Sequence, residues 1–100
     1  MSVYFIATYN IDNQEEYGRY VQSVVPQLLA SGGEVLVADY EATSLEGEKT
    51  HAYVVLGFDS EETFRGWYEA PEYAPLKELR LGVTSKHMAV LAKQFVMPTA

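Results

Sequence analysis

The chain has 100 residues, with 14 acidic and 7 basic side chains and a formal charge of −7. That balance argues against phosphate backbones and anionic membrane surfaces as partners, so nucleic acid and membrane binding are not expected, and the charge is read as solubility. Cysteine is absent, which excludes disulfides, zinc–thiolate sites and cysteine nucleophiles and fits a cytoplasmic location.

The expected organisation is a single domain over residues 1–100, with no secretory leader in Met1 to Asn10 and no apolar run near the roughly 20 residues a bilayer demands. Val3 to Tyr9 is apolar, β-branched and aromatic, which predicts a central strand covered on both sides. Asp12 and Glu15 stand at capping-box spacing. Tyr17, Tyr20, Val21, Val24 and Leu28 then define one helical face, interrupted by Pro26 and left through Gly32-Gly33. Val35 to Ala38 reads as a short buried strand, with Asp39 and Glu41 at its wetter end. Leu45 to Lys49 reads as a hairpin loop of a few residues.

Thr50 to Phe58 is the next strand, with Ala52, Val54, Leu56 and Phe58 on one face and His51, Tyr53, Val55 and Gly57 on the other. Ser60, followed by Glu61 and Glu62, starts a second helix. Its stripe of Phe64, Trp67 and Tyr68 stops before Pro71, because proline lacks a backbone donor and disfavours helix at Ala70. Pro75 opens a further short helical piece, Leu76 to Leu81, which Gly82 ends. Ser85 to Ala92 is the last strand. The apolar tail, Lys93 to Ala100, is expected to be tied down.

Strand, helix, strand, strand, helix, strand is the split βαβ order: an α+β, ferredoxin-like βαββαβ fold. Right-handed crossovers put both helices on one face of a four-stranded antiparallel sheet. The other face is left bare, yet the strands are apolar on both sides, at Tyr4, Ile6, Val35, Val37, Val54 and Val90. A second copy packed sheet to sheet would cover it and make a dimeric α/β barrel, so the expected partner is the chain itself.

Several features now point to one family. They are Glu16-Tyr17 with Tyr20, Val25-Pro26, Gly32-Gly33, the run Val54 to Phe58, and Trp67-Tyr68 with Ala70-Pro71-Glu72-Tyr73. With these the chain resembles, nearly end to end, the domain of unknown function 1330 family of the dimeric α/β-barrel superfamily. The resemblance implies the fold and a homodimer, and it implies no reaction. In many members of the wider superfamily the site lies between sheet and helices near the second helix, where the Trp67 cluster would fall.

Trp67, Tyr73, Tyr68 and Tyr9 are the candidate ligand-binding residues. Large rings with one polar tip serve as pocket walls and equally as core plugs. His51 and His87 each open a strand flanking the first one. A histidine at that sheet end, near the carboxylates of Asp39 and Glu41, could act as a general base. Arg80 could clamp a carboxylate or pair on the surface with Glu72 or Glu78. No Gly-x-Gly-x-x-Gly, phosphate loop, Gly-x-Ser-x-Gly elbow or His-Glu-x-x-His occurs, so no cofactor and no metal site is expected. Three functions fit. The first is a carrier or sensor for a small apolar or aromatic metabolite in a pocket between the sheet and the second helix. The second is a cofactor-independent monooxygenase or isomerase acting on a small aromatic or lactone substrate. The third is a non-catalytic assembly module.

Overall fold

Residues 1–98 are described by a computed structural model; Thr99 and Ala100, the end of the expected tail, lie outside the described residues. The elements are β1 (Val3–Ile11), α1 (Gln14–Ala30), β2 (Glu34–Asp39), β3 (Ala52–Phe58), α2 (Glu61–Tyr68), α3 (Ala74–Gly82) and β4 (Thr84–Lys93). The strands form one antiparallel sheet in the order β2-β3-β1-β4, the ferredoxin-like arrangement. The stretch between β3 and β4 holds two helices rather than one, divided at Pro71 as the sequence predicts. Pro75 sits in the first turn of α3, where a missing N–H costs nothing. No helix among the described residues is long and apolar enough to cross a membrane.

Alternation along β1 sorts the two faces. Val3, Phe5, Ala7 and Tyr9 are buried and face the helices, while Tyr4, Ile6 and Thr8 are half-buried on the outer face. Register carries this pattern across the sheet. Val55 and Val90 flank Ile6 on the outer face, and Met88 lies beside Thr8. Val54 pairs with Ala7 and turns inward, so it belongs to the helix-covered face and not to the bare one. The molecule measures 50 × 37 × 17 Å, thin enough for one sheet and one helix layer with nothing on the third level. Leu36, Val37, Met88 and Val90 are accordingly 42–47 % exposed.

Three local expectations are corrected. The α1 cap is Asn13, whose side chain accepts from the Glu16 N–H at 3.1 Å. Asp12 instead donates its N–H to the Val83 carbonyl and accepts from the Ser85 hydroxyl, tying β1 to β4. The second strand is not buried: β2 is an edge strand, all six residues exposed, because the helices sit over the other strands. It is also bulged, with Leu36 inserted between Val35, which pairs with Leu56, and Val37, which pairs with Val55. The connection from β2 to β3 runs from Tyr40 to His51, far longer than a tight hairpin.

Other signals hold. Ser60 caps α2 by accepting from the Thr63 N–H at 3.1 Å. Gly32 takes φ +91° after α1, the left-handed exit. At Gly33 a Cβ would come within 2.5 Å of Leu28 and 2.7 Å of Phe58, so only glycine lets α1 and β3 meet there. One does not: the tail, expected to be tied down, leaves β4 with Gln94 donating to the Ser2 carbonyl, and beyond that bond Phe95, Val96 and Met97 are exposed.

Candidate functional site

The buried face of the sheet holds two aromatic groups of different chemistry. Under α2, Phe5, Phe58, Phe64 and Trp67 interlock with ring centroids 5.3–6.1 Å apart. This is a dry cluster, and its rings stack or meet edge to face as their quadrupoles prefer. Under α1 the aromatic residues are tyrosines. Tyr17 and Tyr20 lie on the helix face that repeats every three or four residues, and Tyr17 packs between Tyr20 and Tyr9 from β1. A buried hydroxyl must find a partner, and these do. The Tyr9 and Tyr17 oxygens are 2.6 Å apart, Tyr17 reaches Tyr40 at 3.3 Å, and Tyr20 reaches Tyr73 at 2.9 Å.

Arg80 projects into the tyrosine group from the last turn of α3. It is 3 % exposed, and its guanidinium lies 5.7 Å from the centre of the Tyr9 ring. The surface pairing with Glu72 or Glu78 is therefore not what this residue does. The reason is helical spacing: Leu76, Leu79 and Val83 pack on the core, and Arg80 shares their side of the helix. Among the described residues no carboxylate lies within 4.0 Å of it, and its Nε has no hydrogen-bond acceptor. Burial works against the charge, but Tyr73 and Tyr20 outweigh it and hold the Arg80 pKa above its ordinary value, so the group stays a cation. Burial also lifts the pKa values of Tyr17 and Tyr20, and of Tyr9, so these phenols remain neutral.

A cavity of about 70 Å³ lies between α1 and the sheet. Arg80, Tyr9, Tyr17, Tyr20 and Tyr40 supply its polar lining, and Phe5, Val24, Leu28 and Leu56 are among its apolar residues. It runs from buried Ala7 and Leu28 out to exposed Val35 and Tyr40, so its mouth is the gap between α1 and the β2 edge. A second, shallower space of about 520 Å³ follows β4 beside α2 and α3, lined by Tyr68, Pro71 and Lys77 among others. There the Lys77 ammonium sits 4.4 Å over the Tyr68 ring.

The residues expected to form a site are distributed as follows. Tyr9 and Arg80 come together in the cavity under α1. Tyr68 lines the open groove. Trp67 and Tyr73 are 1 % and 0 % exposed, packed against each other at 4.4 Å, and line neither space. Tyr73 acts on the cavity from behind, through its bond to Tyr20. His51 and His87 stand at the sheet end where β1 finishes. His51 accepts from the Ile11 N–H through Nδ1, and His87 donates from Nε2 to the Thr84 carbonyl. Both imidazoles thus serve the backbone, outside both spaces. Among the described residues no three metal-ligating side chains converge.

Tyr17, Tyr20 and Tyr40 were not singled out for a site. The available signal was tyrosine where leucine would serve on the buried face of α1, since each hydroxyl there requires a partner. Arg80 carried a similar signal, a charge set into the stripe of Leu76, Leu79 and Val83.

Comparison with known proteins agrees with the fold. The family model described as Domain of unknown function (DUF1330) matches residues 2–94. No curated protein matches the chain. Among solved structures, a protein of unknown function from Rhodopseudomonas palustris is similar, with a TM-score of 0.80 at 14 % identity over 96 % of this chain and 84 % of that one. A dimeric ferredoxin-like protein of unknown function from Thermobifida fusca gives 0.64 at 17 % identity, over 91 % of this chain and 89 % of that one. A dimeric protein of ferredoxin-like fold and unknown function from Bacteroides fragilis gives 0.56 at 14 % identity, over 93 % and 96 %.

Proposed function

The chain belongs to the DUF1330 family, and from that premise we propose that it is a homodimeric α/β barrel binding a small, largely apolar metabolite in the cavity under α1. The observation that carries the reading is the cavity itself, lined mostly by apolar residues with Arg80, Tyr9, Tyr17, Tyr20 and Tyr40 among them, and with a mouth at the β2 edge. Such a lining, mostly hydrocarbon with few directional groups, is what small-molecule sites share. Tyr9 is the contact residue in this reading. Tyr73 and Trp67 hold the cavity's far side in place by packing, and Tyr68 marks the separate groove.

The homodimer is supported by the outer sheet face, where Leu36, Val37, Met88 and Val90 are exposed together, and by two neighbours of the same fold described as dimeric. Sheet-to-sheet closure leaves the cavity mouth on the flank of each protomer. A catalytic version of this site, of the cofactor-independent monooxygenase or isomerase kind, would use Arg80 and the Tyr9 hydroxyl. His51 and His87 already serve the backbone.

Val54→Phe fills the cavity from β3. Wild type is expected to bind small acyl and ring compounds, read by thermal shift and Trp67 fluorescence. The variant should keep the fold by circular dichroism and lose the binding. Equal behaviour of the two would reduce the chain to an assembly module. Light scattering should give twice the chain mass, and a wild type that stays monomeric at high concentration removes the dimer.

A further inference from the structure

We propose that the cavity selects a small monocarboxylic acid, its carboxylate held by Arg80 and its hydrocarbon body laid along the α1 wall; this rests on the reading that the cavity binds a small molecule. A guanidinium offers five N–H donors and no acceptor, in a fork that fits a carboxylate. Arg80 as a whole is 3 % exposed, and its Nε lacks an acceptor. The arginines that do form ion pairs here are exposed ones: Arg19 with Glu16, and Arg65 with Glu61 and Glu69. Buried charge without an opposite charge is costly, and an incoming anion removes that cost.

The groups facing Arg80 cannot neutralise it. They are the Tyr9 ring and the Tyr20 and Tyr73 phenols, the last two from α1 and from the turn before α3. The Tyr73 hydroxyl hydrogen-bonds the guanidinium, but neutral hydroxyls supply only dipoles, and Tyr9 adds a π face. Arg80 is the only charged side chain lining the cavity among the described residues. One positive charge matches a monoanion and would leave a dicarboxylate or phosphate dianion with an unpaired charge buried beside hydrocarbon. Size gives a second limit. A water-sized group needs roughly 10–15 Å³ of such space, so about 70 Å³ admits an acid of a few heavy atoms.

The test is a matched pair, butyrate against butyramide, which share shape and differ in charge. Titrations of uniformly ¹⁵N-labelled full-length protein are followed by NMR, for wild type and Arg80→Met. Wild type should prefer butyrate by at least about tenfold, because the amide leaves the buried cation unpaired. Arg80→Met should bring the two affinities to within about twofold of each other by weakening butyrate alone. Should Arg80→Met fail to fold, the wild-type Arg80 Nε–Hε resonance decides, and it must move with butyrate and not with butyramide. Equal affinity of wild type for the pair overturns the carboxylate assignment and leaves the cavity reading intact. Inorganic phosphate displacing butyrate at equal concentration also overturns it, in favour of a general anion hole. No response to butyrate, butyramide or neutral butanol overturns the cavity reading itself.

Discussion

Beneath α2 the sheet is packed with phenylalanine and tryptophan, and beneath α1, on the same face, it is packed with tyrosine around a cation. The dry half gains from apolar burial and ring geometry, about 1.5–3 kcal/mol for each fully buried large side chain. The phenolic half buries rings too but must match their hydroxyls, and it includes a charge that nothing among the described residues neutralises. A protein needing stability alone would extend the first solution across the sheet. The second tolerates polar atoms because it surrounds a space with a mouth. Tyr73 joins the halves, with its ring on Trp67 and its hydroxyl on Tyr20.

The contrast breaks most easily at Trp67. Trp67→Ala should cost about 3–5 kcal/mol in urea unfolding, since the indole is fully enclosed. A loss below about 1 kcal/mol would mean the dry half is not what seats α2. Alkaline titration sharpens the other side. The folded pKa values of Tyr9, Tyr17 and Tyr20 are raised above 10.0, so their contribution is complete below pH 10 and falls away as the unfolded chain begins to ionise. Each should remove about 1.4 kcal/mol per pH unit above that point. Tyr17→Phe should flatten the decline by one such share; an unchanged slope would show the phenols are not shielded.

Smaller still is the cost of unmaking single hydroxyl bonds. Tyr20→Phe leaves the buried Tyr73 hydroxyl with Arg80 alone as its partner and should cost about 1 kcal/mol. Tyr40→Phe, at the exposed mouth, should cost less than about 0.5 kcal/mol. Equal losses at the two positions would erase the distinction between the cavity's depth and its rim.

The architecture was legible because it rests on local patterns: alternation in β1 and β3, the hydroxyl at Ser60, the break at Pro71 and the glycines after α1. What escaped was set by where neighbours fall. Val35 to Ala38 are as apolar as a central strand, and only sheet order makes them an edge. The α1 cap moved one residue because Asp12 is engaged by Ser85, 73 positions away. Arg80 was visible as a candidate, but its burial depends on α3 lying over Tyr9, a contact between distant parts of the chain. Tyr17 and Tyr20 were read correctly as an inward helix face. That their hydroxyls gather beside a cation follows only from packing.

The added residue in β2 works like a shifted reading frame. Leu36 and Val37 both turn to the outer side, so Val35 and Ala38, three apart, can both look toward α1. A regular strand of the same residues, with no bulge, would invert everything after Leu36. Ala38 would swing out of the lining, and Tyr40 would carry its phenol to the opposite surface. The doorway is therefore hung on a single miscounted step in a ladder, and its position on the molecule is fixed by arithmetic before any side chain is chosen.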